Sequence, residues 1–319
     1  YGVTFAGIAQ LLFLFYITLK FYNPTLNLKV KTKGKVKFFF KKLLPSILSS
    51  GVTQINILIG TIIASFEAGA VSYLYYADRI YQINLAIAGI AVGTVSLPAL
   101  SKAFKNKNIY KLANIQNKSI ELSLLLSIPA SLGLVLASNE IVNALFGYGS
   151  FSTEDVKLTG TALKYFGYGV PAFALIKILS NFYFARDNTR TPFYISIFIV
   201  TINIIISLSF FSKIGFIIIP IATSISTWLG VFVYAFMLNE KNFLLLKIEI
   251  IINFFKIFVC AIIMSFILIM SLENFAVNLA YTYEYKAIYL ITIVGFAGIV
   301  YLLLCYLVRL LKIKNYKTN

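Results

Sequence analysis

Histidine is absent from this 319-residue sequence, and its 11 acids are outnumbered by 28 lysines and arginines. Lacking histidine, the chain has neither the commonest general base nor the commonest metal ligand. Only two cysteines occur, Cys260 and Cys305, each inside an apolar stretch without a partner motif. That argues against a disulfide framework or a thiolate metal site. No G-x-x-x-x-G-K-[ST] phosphate loop is present, so nothing in the chain points to nucleotide hydrolysis as its energy source. H-E-x-x-H, D-x-D and G-x-S-x-G patterns are missing too, and Glu154-Asp155 is the only tight pair of acids among the segments that could carry catalysis. An embedded enzyme is therefore disfavoured, and no cofactor is expected. Charge is scarce as well: 12% of residues, where a soluble globule averages roughly a quarter.

What fills the sequence is apolar. Hydrophobic residues make up 60% and the mean hydropathy is +0.87. They fall in blocks of about 20, the helical length that crosses a hydrocarbon core of roughly 30 Å. Open strand edges cannot be satisfied in lipid, so the blocks predict an all-α polytopic membrane protein. Nine spans are expected, at 2–20, 43–66, 70–100, 117–138, 158–184, 192–212, 214–238, 250–271 and 287–309. Assigning the connections alternately to two sides puts 22 of the 28 basic residues on one side, within 20–42, 102–118, 186–190, 241–256 and 309–317. The other side receives Lys157, Lys213 and Lys286, together with Glu67, Glu140, Glu154, Asp155, Glu273 and Glu284. This asymmetry is the positive-inside signature, so the 20–42 loop and the C-terminus are expected to be cytoplasmic.

The net charge of +17 is then a topology signal. Nucleic acid is not expected as a partner, because the basic residues are spread among loops rather than interleaved with aromatics on one domain. The segment from Lys35 to Leu44 could lie against anionic headgroups or be an ordinary juxtamembrane loop. Tyr1 stands within an apolar stretch with no Met or basic signal flank, so the chain is expected to begin partway through a longer protein.

Three cations sit inside spans: Arg79, Lys164 and Lys177. An ionised group at mid-membrane costs about 2.5–3.5 kcal/mol on insertion scales, so each should face protein or a wet cavity. Arg79 is one of only four arginines beside 24 lysines. Ser72, Tyr75, Tyr76, Arg79 and Gln82 share a helical face, a polar stripe on an otherwise apolar segment. Guanidinium offers paired donors that suit phosphate oxygens. A structural ion pair with a neighbouring helix fits the residues equally well, although Asp78 points about 100° away. Lys177, with Asn181 one turn on, is expected to face the protein interior; Lys164 could snorkel to headgroups. Pro171 and two nearby glycines allow a kink in that span. Ser46, Ser49, Ser50, Thr53, Gln54 and Thr61 lie mostly on one side of the second span, for helix packing or for lining a cavity.

Four segments then match one family in order and separation: Gly69-Ala-Val-Ser-Tyr-Leu-Tyr-Tyr-Ala-Asp-Arg79, Gly93-Thr-Val-Ser-Leu-Pro98, Leu145-Phe-Gly-Tyr-Gly-Ser-Phe151 and Phe182-Tyr-Phe-Ala-Arg-Asp-Asn-Thr-Arg-Thr-Pro192. With them the chain resembles the MurJ/MviN-type lipid II flippases of the multidrug/oligosaccharidyl-lipid/polysaccharide (MOP) exporter superfamily, which have fourteen spans in two six-helix lobes plus two extra helices. The resemblance implies that 1–42 carries the last helix of the first lobe and a basic cytoplasmic loop. It likewise makes 43–240 the second lobe, and 241–319 the two extra helices with a basic tail. It implies translocation of lipid II, the undecaprenyl-pyrophosphate-linked peptidoglycan precursor, across a bacterial inner membrane by alternating access. Another polyprenyl-linked saccharide as cargo, or a transport-inactive scaffold of wall synthesis, are the alternatives. Arg79 matches a cavity arginine of the second lobe, and the candidate binding set is Arg79, Lys177, Gln82, Tyr76, Gln54 and Asn181. The expected partners are the lipid-linked precursor, membrane lipids and an N-terminal lobe of the same chain that these residues lack.

Overall fold

Residues 2–21, 51–52 and 54–310 are described by a computed structural model, in which they are almost wholly helical, with no strand among them. The chain divides into two compact units, Tyr1–Leu44 and Pro45–Asn319. In the first, α1 (Gly2–Phe21) is a 20-residue apolar helix, long enough to span. Lys20 and Phe21, expected at the start of the 20–42 loop, close α1; the rest of that loop, the stretch from Lys35 to Leu44, Ser46, Ser49, Ser50, Thr53 and the basic tail beyond residue 310 lie outside the described residues.

The second unit begins with α2 (Gln54–Ala64), the described part of the expected second span. Next comes one continuous 36-residue helix, α3 (Ala70–Leu85) running through a π-helical segment (Ala86–Ala91) into α4 (Val92–Lys105). At 1.5 Å per residue it is about 54 Å long and overshoots the hydrocarbon core. α5 (Ile109–Leu136) opens on Asn108, whose side chain accepts from Lys111 N at 2.9 Å. Ser119, Ser123, Ser127 and Ser131 form a buried stripe along it at every fourth residue, which lets neighbouring helices approach closely. The short α6 (Ser138–Phe146) leads through a six-residue loop to α7 (Thr153–Gly167) and α8 (Val170–Phe184).

α7 and α8 meet at a bend of 41°, with Pro171 in the first turn of α8. The expected kink is therefore a full break. Carbonyls opened by a break in a membrane need other donors. Here a later helix supplies them: Trp228 Nε1 donates to Tyr168 O at 2.9 Å and Ser224 Oγ to Tyr165 O at 2.6 Å.

α9 (Arg190–Ile214) and α10 (Ile218–Glu240) fold back on each other, because Asn203 Nδ2 donates to Thr223 Oγ1 at 3.0 Å across 20 residues that would span about 30 Å in a straight helix. The reversal is at Gly215, whose φ of 72° suits glycine. Glu67 accepts from Phe216 N there at 2.7 Å, a carboxylate at a helix start. α11 (Ile248–Asn274) and α12 (Lys286–Leu307) complete the chain and pack on α5. Ile257, Ala261, Met264 and Leu268 are buried on α11, and Tyr301 Oη donates to Leu125 O at 2.8 Å. Cys260 and Cys305 are buried free thiols. Eight helical spans are thus described in full, with α7 and α8 counted as one. The expected ninth rests partly on residues 43–50, outside the description.

Candidate functional site

α3 carries the polar stripe, and the structure divides it. Ser72, Tyr75, Arg79 and Gln82 are exposed. Tyr76 is half-buried: its ring centre is 6.1 Å from that of Tyr75, 4.7 Å from that of Phe146 and 5.5 Å from that of Phe151. It is about 100° round the helix from Tyr75, enough to move it from the stripe to a packed seam. Its ring packs against the aromatics that flank the loop after α6.

Arg79 is exposed, with its guanidinium 4.6 Å from the Tyr75 ring centre, a cation–π contact that steadies the charge without using its N–H donors. The neighbouring carboxylate is otherwise engaged, since Gln82 Nε2 donates to Asp78 Oδ2. Among the described residues no carboxylate pairs with Arg79. The structural ion pair that the sequence left open is not formed there.

Lys177 and Asn181, one turn apart on α8, part company. Asn181 is buried, and its Nδ2 donates to Gly93 O at 2.7 Å, with Ser96 Oγ at 3.4 Å. Its amide nitrogen is occupied in fastening α8 to α4. Lys177 is exposed rather than interior. Its stem lies over the π-helical segment, where a Cβ on Gly89 would be 3.6 Å from Lys177 Cγ and 3.2 Å from Ala174 Cα. The two glycines Gly89 and Gly93 let α8 come to backbone contact, so Lys177 stands beside the α3–α4 helix, roughly 15 Å farther along it than Arg79. Gln54 is exposed on α2, and among the described residues no hydrogen bond joins it to the α3 stripe. Lys164 is exposed on α7.

The acid pair Glu154-Asp155 is structural on one side. Asp155 closes a capping box with Ser152 at the start of α7 and accepts from Tyr73 Oη at 2.7 Å.

Three features escaped the sequence. Lys286, counted there as a loop cation, is only 1% exposed and donates to Gly147 O at 2.6 Å, Tyr281 O at 2.8 Å and Asn143 Oδ1 at 3.2 Å. Gln116 and Asn117 grip the strap between α10 and α11. Gln116 Nε2 donates to Phe243 O and Leu245 N to Gln116 Oε1, at 2.8 and 3.1 Å. Asn117 Nδ2 donates to Leu245 O and Lys247 N to Asn117 Oδ1, at 2.6 and 2.9 Å. Arg186 secures the same end by donating to Phe182 O at 2.5 Å and Phe243 O at 3.4 Å. The only signal in the sequence for the strap was a Gln-Asn pair at the start of an apolar span.

Comparison with known proteins bears on what such a face does. The family model for the lipid II flippase MurJ matches residues 1–293. The chain belongs to this family. It is 34% identical over 319 residues to a probable lipid II flippase MurJ of Rickettsia prowazekii (strain Madrid E), covering 98% of this chain and 62% of that one. It is 39% identical over 236 residues to the probable lipid II flippase MurJ of Rhizobium meliloti (strain 1021), covering 72% and 43%. The chain thus spans between 43% and 62% of the length of these two MurJ relatives. A lipid II flippase MurJ in an inward closed conformation superposes with a TM-score of 0.74 at 26% identity, over 95% of this chain and 60% of that one. A multidrug resistance MATE family transporter of the MOP superfamily, outward-facing, gives 0.56 at 16% identity over 82% and 63%, a likeness of fold alone. The chain is accordingly a multi-pass membrane protein with the all-α fold of a MurJ-family transporter.

Proposed function

We propose that the full-length protein moves lipid II from the inner to the outer leaflet of a bacterial inner membrane by alternating access, and that this chain supplies one wall of the cavity. Membership in the MurJ family supports the cargo. The observation that carries the site is Arg79, a guanidinium on an exposed helical face, braced by Tyr75 and free of any carboxylate among the described residues. A pyrophosphate group presents oxygens that match its fork, and a hydrogen bond to a charged group contributes about 1.5–3 kcal/mol. Gln82 and Lys177 are the further polar contacts on that side, and Gln54 is included with them on its exposure. Residues 43–240 form the second lobe in this reading, 241–319 the two extra helices, and the other cavity wall comes from an N-terminal lobe. The lysine distribution supports a cytoplasmic C-terminus. Alternation between two states does the transport, so no residue here is assigned a catalytic role.

The test is Arg79→Ala and Arg79→Lys in the full-length protein, with membrane abundance and outer-leaflet lipid II measured together. Arg79→Ala should abolish flipping at near-normal abundance, and Arg79→Lys should keep part of it, because the charge remains and the fork does not. Loss of activity fully explained by loss of protein would refute the ligand role, since that is what removing half of a buried ion pair does. Flipping that fails for lipid II but persists for another polyprenyl-linked saccharide would reassign the cargo.

A further inference from the structure

The loop of residues 147–152 is held from two sides by parts of the chain that are otherwise distant in sequence. On one side stands the helix of Arg79. Tyr76, one turn before it, packs on Phe146 and Phe151, whose own rings are 6.2 Å apart. Tyr73, two turns before it, donates to Asp155, the residue that closes the capping box with Ser152 just after the loop. On the other side stand α12 and the turn before it. Tyr281 Oη donates to Phe151 O at 2.7 Å. Lys286 donates to Gly147 O and lies 4.2 Å from the Tyr148 ring centre. Asn143 Nδ2, at the end of α6, donates to Leu279 O at 2.8 Å. The loop has little stiffness of its own, with two glycines of which Gly149 sits at φ 59°. Its shape is therefore set by what grips it. The ammonium of Lys286 is buried with carbonyl and amide oxygens as its acceptors, an arrangement costly to disturb because the charge would be left without partners.

We propose that this loop is a relay: the α11–α12 pair positions the Arg79-bearing helix through it, with Tyr281 and Lys286 as the positioning residues. The proposal rests on the reading of Arg79 as the group that grips pyrophosphate. A shift of Lys286 at the start of α12 and of Tyr281 in the turn before it displaces Gly147 and Phe151, and Phe151 bears directly on Tyr76. Coupling of this kind passes through packed, discretely arranged groups, and it is established by energetic coupling rather than by adjacency.

The experiment reconstitutes full-length protein in vesicles and measures flipping against lipid II density. Tyr281→Phe deletes the donor to Phe151 and keeps the ring beside Lys286, so it is preferred to Lys286→Met, which can fail to fold. Tyr76→Leu removes the ring on the other side. Each should raise the half-saturating lipid II density about threefold or more while leaving the maximal rate per folded protein within about twofold, and the two effects should be non-additive in the double variant. A structural role alone would lower the total flux through loss of folded protein and leave half-saturation unchanged. A fall in maximal rate with half-saturation unchanged, or strict additivity, overturns the relay. Arg79→Lys, which should keep part of the flipping, separates the failures in the same vesicles: no shift in half-saturation there sinks the Arg79 reading and the relay with it, whereas a shift there with none for Tyr281→Phe sinks the relay alone.

Discussion

Replacing Asn117 by leucine should free the strap between α10 and α11. The amide is 8% exposed and satisfies two backbone groups, Leu245 O at 2.6 Å and Lys247 N at 2.9 Å. Leucine has the same branched skeleton of side-chain heavy atoms, so it takes the same place, with some added bulk, while both groups lose their partner. A buried group left unsatisfied costs about 1–3 kcal/mol, which gives on the order of 2–4 kcal/mol for the pair once partial access of water is allowed. Gln116→Leu strands Leu245 N and Phe243 O, but Phe243 O retains Arg186 Nη2 at 3.4 Å, so its cost should be about half. The strap is bounded by Lys241 and Lys247, so trypsin acting on detergent-solubilised protein reads its opening directly. When opening is fast relative to cleavage, the rate follows the open population, and 2–4 kcal/mol corresponds to roughly a 30- to 1000-fold faster cut. The order Asn117→Leu above Gln116→Leu above wild type is as diagnostic as the size. Unchanged cleavage, or the reverse order of the two variants, would refute the view that these side chains hold the strap.

Glu140 gives a pH-dependent prediction: burial at the edge of a cavity of about 170 Å³ lined by Asn139, Asn143, Val156, Leu272, Ala276 and Leu279 raises its carboxyl above the usual range. A raised folded-state pKa contributes stability that is present at low pH and lost as pH rises through it, so Glu140→Gln should raise Tm at pH 7.5 and make no difference near pH 4. An equal Tm gain at both pH values would contradict the burial effect. For topology, Tyr110→Cys should be shielded from impermeant thiol reagents in intact cells while Ser150→Cys and Asn278→Cys are labelled, and labelling at 110 with none at 150 would invert the orientation.

Hydropathy made the spans legible, because lipid imposes a length and a composition that no other environment asks for. The break between α7 and α8 was also visible, in Pro171 and its flanking glycines. The π-helical segment was not: Ala86 to Ala91 is apolar throughout, and the signal for it is the close approach of α8 at Gly89 and Gly93, a tertiary fact. The strap escaped because Gln116 and Asn117 bind backbone about 130 residues away, and a backbone partner leaves no mark in residue identity. The packing of Tyr76 was hidden for a different reason. A tyrosine has an apolar face and a polar tip, so a helical wheel counts it as polar when its ring is packing. Asn181 was ambiguous in the same way, its amide being suited equally to a ligand and to the open carbonyl of Gly93.

Cations separate what the fold needs from what it leaves open. Lys286 and Arg186 are both basic and drawn into the protein, and each is met by acceptors: three oxygens around the Lys286 ammonium, two carbonyls and the Phe243 ring around the Arg186 guanidinium. Those contacts offset the loss of hydration, and they hold the α11–α12 pair and the strap in place. Arg79 is treated otherwise. Among the described residues it touches the face of Tyr75, which attracts its charge but occupies none of its five donors. The adjacent Asp78 could have relaxed towards it, yet bonds to Gln82. An arginine kept within an apolar helix, oriented by an aromatic ring and given no acceptor by the described parts of its own chain, has its hydrogen-bonding capacity directed at the open face. In the proposed function, that capacity is what meets the pyrophosphate of the cargo.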